Sequence, residues 1–384
     1  MIKPSRLEII RPRDLTAEDE RLWNSFVAQR PDLAGPYFDV RYIKAIGCDV
    51  PRGGIARFYD CERIVGYFPF QIRLGVLQPM GAPLSDYHGI ISEPGVLPDF
   101  DLLLTVKGVK RLEFQGWVGP MAEKASTVPL RRRVADTSQG FAKWWATQNA
   151  EHHKFFKNIG RCQRNVVKDF GGFEFTWEKV TPELLGHVLD LKRLQYRKSG
   201  MHDVFNCGWT RTLLENLARY DDDAYGLRAG VFRHEGRLVA AEISLMGKDE
   251  VHLWFPAYDP TYYRYSVGIL LTVAILEYVS TLGITRFDFG TGGEDYKSPL
   301  TIEAGDCAEG DLAIRPPVLG AWLDRAAFLL PVKADSFAAL RQSIKRRLKL
   351  IRATELGIAG WSRAIYSLTQ RSVMRFATTR SGDH

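Results

Sequence analysis

The side chains best suited to acid–base chemistry follow an apolar segment late in the chain. From Gly283 to Lys297 the sequence is Gly-Ile-Thr-Arg-Phe-Asp-Phe-Gly-Thr-Gly-Gly-Glu-Asp-Tyr-Lys. Its isoleucine and phenylalanines are typical of a half-buried strand, and the glycines permit a sharp turn and the close approach of a ligand. The polar groups at the strand end are Asp288, Glu294, Asp295, Tyr296 and Lys297. This pattern indicates either a ligand site of an open α/β fold or an ordinary polar loop.

Two further places carry groups that can exchange protons. Glu242 is a carboxylate inside an otherwise apolar strand, which is a costly position unless it has a role, a partner or access to solvent. The loop from Met80 to Gly89 is rich in turn residues and contains Asp86, Tyr87 and His88 in succession. His88 is a candidate site residue, or a loop histidine that is satisfied by the backbone.

A basic amphipathic helix is predicted from Lys154 to Phe170. Its cations recur at three- and four-residue steps, at Lys154, Lys157, Arg161, Arg164 and Lys168. Its apolar residues follow the same steps on the opposite side, at Phe155, Ile159, Cys162, Val166 and Phe170. Such a stripe could bind a phosphate or an anionic polymer, with Arg161 and Arg164 as candidate ligands, or it is a solvated helix face.

The composition predicts a soluble globular protein of two domains with an appendage, since the chain has 384 residues. Its five cysteines are scattered and show neither zinc nor redox spacing, so we expect reduced thiols in a cytoplasmic protein. The eight histidines form no ligand pattern on a helix, and no metal is expected. The first residues do not resemble a signal peptide, and the apolar run from Val267 to Leu276 is too short to span a bilayer.

The net charge of +7 is concentrated in the C-terminal tail. Residues 333–384 contain eleven Lys and Arg against three Asp and Glu, which leaves the rest of the chain close to neutral. An apolar stripe lies on an otherwise cationic predicted helix, at Phe337, Leu340, Ile344, Leu348 and Ile351. Such a helix binds an anionic membrane surface or an acidic partner, or packs on the body.

Two sequence blocks recur in the same order in the two halves of the chain. Residues 56–66 resemble residues 230–240, and residues 108–114 resemble residues 283–289. Arg63 and Arg111 lie 48 residues apart, and Arg237 and Arg286 lie 49 apart. We interpret this as a duplicated α/β domain, at 1–150 and 151–315, followed by a basic helical tail at 316–384. Two unrelated hairpins with common turn chemistry are the alternative.

No nucleophile elbow, Walker loop, zinc motif or Rossmann fingerprint occurs in the chain. The remaining interpretation is acyl transfer without a covalent intermediate, which requires a base for the acceptor and N–H groups for the donor. The segment Tyr265-Ser266-Val267-Gly268, at a predicted helix start, could supply N–H groups that face a phosphate.

The order of elements resembles the GNAT acyltransferase fold. The duplication, the loop at 85–89, the basic helix and the block from Asp288 to Lys297 together resemble the FemAB-like/CelD-type acetyltransferases linked to bacterial exopolysaccharide synthesis. The resemblance covers residues 5–310 and implies an α/β (α+β) fold, with two tandem GNAT-like domains of mixed, mostly antiparallel sheets. It implies an N-acyltransferase with acetyl-CoA as co-substrate, no permanent cofactor, and an amino sugar of a cell-surface polysaccharide or its lipid-linked precursor as acceptor.

Roles follow from this resemblance as hypotheses. Glu242 or Asp288 is the general base, and Tyr296 and Lys297 orient the acceptor or stabilise developing charge. The acceptor site is expected to include Asp86, Tyr87, His88, Arg161, Arg164 and Glu294. The donor site is expected at Tyr265, Ser266, Val267 and Gly268.

One departure from the family pattern opens alternatives. The GNAT phosphate motif is Arg/Gln-x-x-Gly-x-Gly/Ala, and here only Gly268 is kept while Arg264 is one residue too far away. A non-catalytic effector, whose tail binds cyclic di-GMP or a membrane lipid, is therefore a second interpretation. A third is aminoacyl transfer from tRNA, as in the related peptidoglycan-bridge enzymes, although the near-neutral body argues against it. No DNA partner is expected, and the location is cytoplasmic with peripheral contact at the inner face of the membrane.

Overall fold

The computed structural model describes residues 2–47, 50, 52–97, 99–120, 126–199, 202–220, 222–292, 295–313, 350–355 and 360–362. The strands are β1 Arg6–Ile10, β2 Gly53–Asp60, β3 Arg63–Arg73, β4 Val76–Pro79, β5 Ile91–Ser92, β6 Arg111–Trp117, β7 Ser126–Asp136, β8 Glu174–Lys179, β9 Gly226–His234, β10 Arg237–Met246, β11 Glu250–Tyr258, β12 Arg286–Asp288 and β13 Ile302–Ala313. The helices are α1 Ala17–Ala28, α2 Val40–Gly47, α3 Phe100–Leu104, α4 Phe141–Glu151, α5 His153–Phe170, α6 Pro182–Ser199, α7 Gly208–Ala218 and α8 Val267–Thr281.

One mixed sheet runs through both halves of the chain, in the order β1-β2-β3-β4-β6-β13-β7-β12-β11-β10-β9-β8, with β5 paired to β3. Most neighbours are antiparallel, and the pairs β4–β6 and β11–β12 are parallel. This confirms the mixed, mostly antiparallel α/β class. Among the described residues, no helix has both the length and the apolar character that crossing a bilayer requires.

The two halves exchange strands at the centre of the sheet. β13, from the C-terminal half, lies between β6 and β7, and β7, which precedes residue 150, pairs with β12. Both sequence-related hairpins are present, as β2–β3 and β9–β10. The division into tandem domains at residue 150 stays a prediction, because the sheet is continuous across that point.

Helix starts follow the local chemistry of the sequence. Thr16 Oγ1 accepts a hydrogen bond from the Asp19 backbone N–H at 3.1 Å, and Asp19 Oδ2 accepts one from the Thr16 N–H at 2.9 Å. This reciprocal pair is a capping box, which satisfies two N–H groups that the helix itself leaves unpaired. Helix α1 therefore begins directly after Thr16.

Two helical layers bury the sheet of the second half. α8 packs on β9 and β10 so closely that a Cβ atom on Gly230 would lie 2.4 Å from Ile275 Cδ1. α6 packs on β11 from the other side and buries Leu185, Val188 and Leu189. The sheet is therefore buried on both faces where β10, β11 and β12 meet, and polar side chains at that place are withdrawn from water.

The predicted C-terminal tail is described only at residues 350–355 and 360–362, and its remaining residues lie outside the described part of the chain. The described part is helical at 350–354 and buries Ile351, Ala353 and Thr354 against the body.

Candidate active site

Strands β11 and β12 form a fork. They pair for only three residues, Glu250–His252 with Arg286–Asp288, and β12 then ends while β11 continues to Tyr258. Within the described residues, β11 has no strand partner on that side beyond His252. We call the opening between the end of β12 and residues 253–258 of β11 the strand fork. His252 and Asp288 stand opposite each other at its apex.

Asp288 is fully buried and is surrounded by donors. Its carboxylate accepts hydrogen bonds from Tyr87 Oη at 2.8 Å, from Arg132 Nε at 2.7 Å and from the Gly290 N–H at 2.7 Å. His252 Nδ1 lies 3.0 Å from Asp288 Oδ1. Burial opposes the charge, but the bonds and charges of His252 and Arg132 outweigh it and hold the pKa of Asp288 well below its usual value. Asp288 is therefore an ionised carboxylate.

Arg132 joins two buried acids. Its Nη2 donates to Glu250 Oε1 at 2.6 Å, while its Nε bonds Asp288, and its guanidinium lies 4.5 Å from the centre of the Tyr87 ring. Burial raises the pKa of Glu250, although Arg132 opposes that shift. We call Asp86, Tyr87, Arg132, Glu250, His252 and Asp288 the Asp288 cluster.

His252 connects the two halves of the chain. Its Nδ1 faces Asp288 and its Nε2 lies 2.9 Å from Oδ2 of Asp86, in the loop after β4. Burial lowers the pKa of His252, but the two carboxylates outweigh it and raise the pKa to about 9. The imidazole is therefore protonated at neutral pH. Its Nδ1 is hydrogen-bonded to Asp288, whereas Nε2 lies close to Asp86 without an aligned hydrogen bond to any described residue.

Tyr37 closes one side of this histidine. Its ring packs edge-on against His252, with the centroids 5.1 Å apart, and against Trp254 of β11 at 6.0 Å. Its buried Oη has no hydrogen-bond partner within the described residues. Buried polar atoms are seldom left unpaired, so Tyr37 Oη is a candidate contact for a ligand.

Glu242 is buried like Asp288 but is not surrounded by hydrogen-bond donors in the same way. It is 4% exposed on β10, and its Oε1 has no hydrogen-bond partner in the described part of the chain. Burial raises its pKa to about 8, even though the charges of Lys192, His252 and Lys297 oppose the shift. Ser244, two residues further along β10, is also buried, and its hydroxyl has no partner within the described ranges. These two side chains offer polar atoms that the described residues do not use.

Residues after β12 were predicted to complete the site, and the structure places two of them. Lys297 Nζ donates to the Phe289 carbonyl at 2.8 Å, which holds its charge beside the end of β12 and close enough to act on Glu242. Tyr296 is half-buried and packs against the core that surrounds α8. Glu294 lies outside the described residues.

The predicted donor segment lies at the start of α8. Tyr265 is buried and donates through Oη to Asp169 Oδ2 at 2.7 Å, which ties this turn to α5. Ser266 adopts a left-handed conformation (φ 53°), and its carbonyl accepts the Leu270 N–H at 3.1 Å. Val267 is buried, whereas Gly268 has only Tyr258 Cδ1, at 4.0 Å, near the position of an added Cβ. The helix start therefore lies beside the far end of β11, with room next to Gly268.

The structure separates the remaining predicted residues from the Asp288 cluster. His88 Nε2 accepts the Gln115 N–H at 3.1 Å, so this histidine is tied to β6 rather than to His252. Arg161 and Arg164 lie on the exposed face of α5, where Arg161 bonds Asn158 Oδ1 at 2.7 Å. Of the predicted loop, Asp86 and Tyr87 reach the cluster.

Sequence reasoning missed Tyr37, Arg132, Glu250 and His252. His252 carried a usable signal, because it is a polar residue between Val251 and Leu253 in an apolar strand, as Glu242 is in β10. Arg132 is one of three successive arginines, and no pattern distinguishes the buried one from its neighbours.

Comparison with known proteins agrees with this architecture. Residues 153–298 match the family model described as an acetyltransferase (GNAT) domain. This match spans α5 to β12 and includes the strand fork, Glu242 and Asp288. No curated protein matches the chain.

Three solved structures are similar to this chain at low sequence identity. FemX is 9% identical, with a TM-score of 0.50 over 82% of this chain and 99% of that one. A tandem GNAT protein from the clavulanic acid biosynthesis pathway is 11% identical, with a TM-score of 0.48 over 81% of this chain and 100% of that one. The C-terminal domain of a putative lysylphosphatidylglycerol synthetase from Agrobacterium fabrum is 12% identical, with a TM-score of 0.44 over 82% of this chain and 97% of that one. The family match and the likeness to FemX support a GNAT/FemAB-like acyltransferase fold.

Proposed function

We propose that the protein is an N-acyltransferase that moves an acyl group from acyl-CoA to an amino sugar of a cell-surface polysaccharide or its lipid-linked precursor. The observation that carries this proposal is the strand fork, which opens beside the start of α8 and has on the adjacent strand a buried carboxylate, Glu242, whose Oε1 has no partner among the described residues.

The strand fork is suited to binding the acyl donor, acyl-CoA. Beyond His252 the edge of β11 at the fork has no strand partner among the described residues. Its backbone N–H and C=O groups, apart from those of Pro256, can pair with the amides of a pantetheine arm as an added strand would. The first turn of α8, at Val267 and Gly268, offers N–H groups and the positive end of the helix dipole to the pyrophosphate. Gly268 leaves space for that approach.

Glu242 is the proposed general base. The acceptor nitrogen attacks the thioester carbonyl carbon, the C–S bond of the tetrahedral intermediate breaks, and the CoA thiolate leaves. The nitrogen must lose a proton during this step, and a carboxylate with a pKa of about 8 is suited to take it near neutral pH. The thiolate then gains a proton, and free CoA is released.

Asp288 is proposed as a positioning residue rather than the base. Its oxygens already accept hydrogen bonds from Tyr87, Arg132 and Gly290, and its low pKa makes it a weak proton acceptor. It fixes His252, the neighbour of Asp86 at the apex of the fork.

The acceptor site is proposed around these groups. Tyr296 and Lys297 would orient the acceptor, together with Asp86, Tyr87 and Glu294. His88 would contribute only by fixing the loop that it ties to β6. Arg161 and Arg164, on the exposed face of α5, would bind the phosphate of a lipid-linked precursor. The amino-sugar class itself rests on the sequence resemblance to the FemAB-like/CelD-type enzymes.

Calorimetric titration of the full chain with acetyl-CoA tests the donor site. We expect micromolar binding that is lost in Gly268→Trp, because the indole would fill the space beside the first turn of α8. Gly186→Trp on α6 is the matched control, since that helical glycine also has room for a side chain. Release of free CoA with a panel of amino sugars then tests the acceptor. Equal binding by wild type and Gly268→Trp would remove the proposed donor site.

Two other functions are separated by the same titration. Binding of aminoacyl-tRNA without binding of acetyl-CoA, with a steep dependence on salt, would favour tRNA-dependent transfer. Binding of neither donor would favour a non-catalytic effector that responds to cyclic di-GMP or a membrane lipid through its basic tail. Whether the donor is acyl-CoA or aminoacyl-tRNA, we propose a cytoplasmic protein that attaches peripherally, through its tail, to the inner face of the membrane.

A further inference from the structure

Three side chains with metal-binding atoms meet outside the Asp288 cluster. His202 and Cys207 lie in the connection between α6 and α7, and Glu355 follows the helical segment at 350–354. The ring nitrogen, the thiol sulfur and a carboxylate oxygen all lie within 4.8 Å of one another. The distance from His202 Nε2 to Glu355 Oε1 is 3.6 Å.

These groups are shielded from solvent. The side chains of His202 and Glu355 are 9% and 10% exposed, and Cys207 is 6% exposed. One imidazole, one thiolate and one carboxylate are a ligand set that zinc accepts, with metal–ligand distances of about 2.0–2.3 Å. Ligand atoms around a tetrahedral ion therefore lie about 3–4 Å apart, which requires only small movements from the present separations.

We propose that His202, Cys207 and Glu355 bind one Zn²⁺ ion, with water as the fourth ligand. The proposal is independent of the acyltransferase function. It differs from the expectation drawn from the cysteine spacing, because Glu355 is 148 residues from Cys207 in the chain and no local motif links them.

The hydrogen bonds around His202 determine which protons zinc binding would displace. Thr354 Oγ1 lies 2.9 Å from both the Leu350 carbonyl and His202 Nε2, and when its proton is donated to Leu350, Nε2 carries a proton that Thr354 accepts. Zinc binding at Nε2 would move this proton to Nδ1, which leaves the imidazole neutral. The Cys207 thiol would release its proton to solvent, so one proton leaves the protein for each ion bound.

The ion would fasten the described C-terminal segment to the body. Trp209 Nε1 of α7 already donates to the Thr354 carbonyl at 3.1 Å, and Arg352 pairs with Glu113 of β6. A Cβ atom on Gly360 would lie 1.8 Å from Glu355 Oε2, so Gly360 also lies directly against this carboxylate. The segment therefore contacts both halves, and a shared ion would stabilise that arrangement.

The test uses the full chain, stripped of metal with a chelator and then titrated with Zn²⁺ or Co²⁺. We expect one ion per chain, and we expect bound Co²⁺ to show a thiolate-to-metal charge-transfer band. Cys207→Ser should abolish the band. Cys61→Ser is the control, because Cys61 is an exposed thiol whose loss would only remove adventitious binding.

Glu355→Gln keeps the shape and hydrogen-bonding capacity of the site and removes one anionic ligand. We expect it to weaken Zn²⁺ binding at least tenfold and to reduce the rise in melting temperature that Zn²⁺ gives the wild type. A wild-type chain that retains no stoichiometric ion overturns the proposal. So does a Co²⁺ spectrum that is the same in Cys207→Ser as in Cys61→Ser.

Discussion

Asp288 and Glu242 are both buried carboxylates near the strand fork, but they differ in their hydrogen-bond partners and in the direction of their pKa shifts. Asp288 accepts hydrogen bonds from two side chains and one backbone N–H, and its pKa is depressed. Glu242 has an oxygen with no partner among the described residues, and burial raises its pKa to about 8. Burial alone therefore does not decide the state of an acid, because the donors around it do.

The difference separates structural stability from reactivity. A carboxylate whose lone pairs are occupied holds other groups in place but accepts a proton poorly. A carboxylate without partners destabilises the fold when ionised, and for the same reason it is a stronger base. The Asp288 cluster is thus expected to maintain the junction of the two halves, and Glu242 to react.

Asp288→Asn should have the largest effect on stability. The substitution leaves the Arg132 guanidinium and the protonated His252 buried without their shared counter-charge. Removing one partner of a buried ion pair typically costs about 3–5 kcal/mol. Urea denaturation at neutral pH should show this loss in the free energy of unfolding.

Asp306→Asn is the matched control for that change. Asp306 pairs with Arg131, the neighbour of Arg132, but both side chains are largely exposed. Exposed pairs contribute about 0–1 kcal/mol. Similar losses in the two variants would show that the Asp288 cluster is no more important to the fold than a surface pair.

Glu242→Gln should have the largest effect on turnover. The amide cannot accept the proton of the acceptor amine, and loss of a general base lowers the rate by about 10²–10⁴-fold. Acyl transfer measured by release of free CoA should show this drop, with the unfolding free energy unchanged or increased. Glu178→Gln, which alters a carboxylate that Arg233 already binds, should leave turnover unchanged.

The raised pKa of Glu242 determines in which direction stability and turnover change with pH. Its pKa is raised above the ordinary 4.5, so its contribution to stability is full below that value and is lost as the pH rises through about 8. Turnover should rise over the same upper range as the carboxylate ionises. Turnover in Glu242→Gln that keeps the wild-type pH profile would assign the base to another group.

Local elements of the fold were predictable because their signals lie within a few residues. The alternating cations and apolar residues of α5 predicted an amphipathic helix at 154–170, and the structure has it at His153–Phe170. The turn of the β2–β3 hairpin lies within residues 56–66, one of the two blocks that the sequence repeats. These patterns depend on side-chain periodicity, which the sequence contains directly.

The central strands and the Asp288 cluster were not predictable in the same way. β7 contains three successive arginines and β13 four carboxylates, and they are strands because each pairs with partners far away in the chain. Tyr87 and Arg132 reach Asp288 across 201 and 156 residues. No periodicity encodes such contacts, since they arise only when the two halves share one sheet.

Asp86→Asn should change the titration of His252 by a smaller amount. Two carboxylates raise the pKa of His252 to about 9, and removal of the charge at Asp86 should lower it by about 1 unit or more. The midpoint can be followed by NMR of labelled histidine, with Asp306→Asn as the variant expected to leave it unchanged. An unchanged midpoint in Asp86→Asn would mean that Asp288 alone sets the charge on the imidazole.

The same histidine links charge to stability. Because its pKa is raised, the stabilisation that it provides is full below the ordinary value of 6.5 and is lost as the pH rises through about 9. The wild type should therefore lose more stability than Asp86→Asn between pH 6.5 and 9.5, as measured by urea midpoints.

Ser244→Ala should have the smallest effect on stability. It tests whether the contrast between buried groups with and without hydrogen-bond partners also holds for hydroxyls. Ser244 Oγ is buried and unpaired among the described residues, so its removal deletes no hydrogen bond. We expect a change of less than about 1 kcal/mol in the free energy of unfolding. Thr137→Val is the matched case, because Thr137 Oγ1 is buried and bonds Ser280 Oγ at 2.7 Å.

The two substitutions should affect different measurements. Thr137→Val should lower stability, and Ser244→Ala should raise the KM for the acceptor. Loss of the Thr137 bond should cost about 0.5–1.5 kcal/mol, because Ser280 Oγ keeps its bond to the Leu276 carbonyl, and it should leave the KM for the acceptor unchanged. Ser244→Ala should raise that KM several-fold, because the unpaired hydroxyl beside Glu242 is then a contact for substrate. A Ser244→Ala variant that is as unstable as Thr137→Val, with an unaltered KM, would show that Ser244 serves the fold and that Glu242 alone faces the substrate.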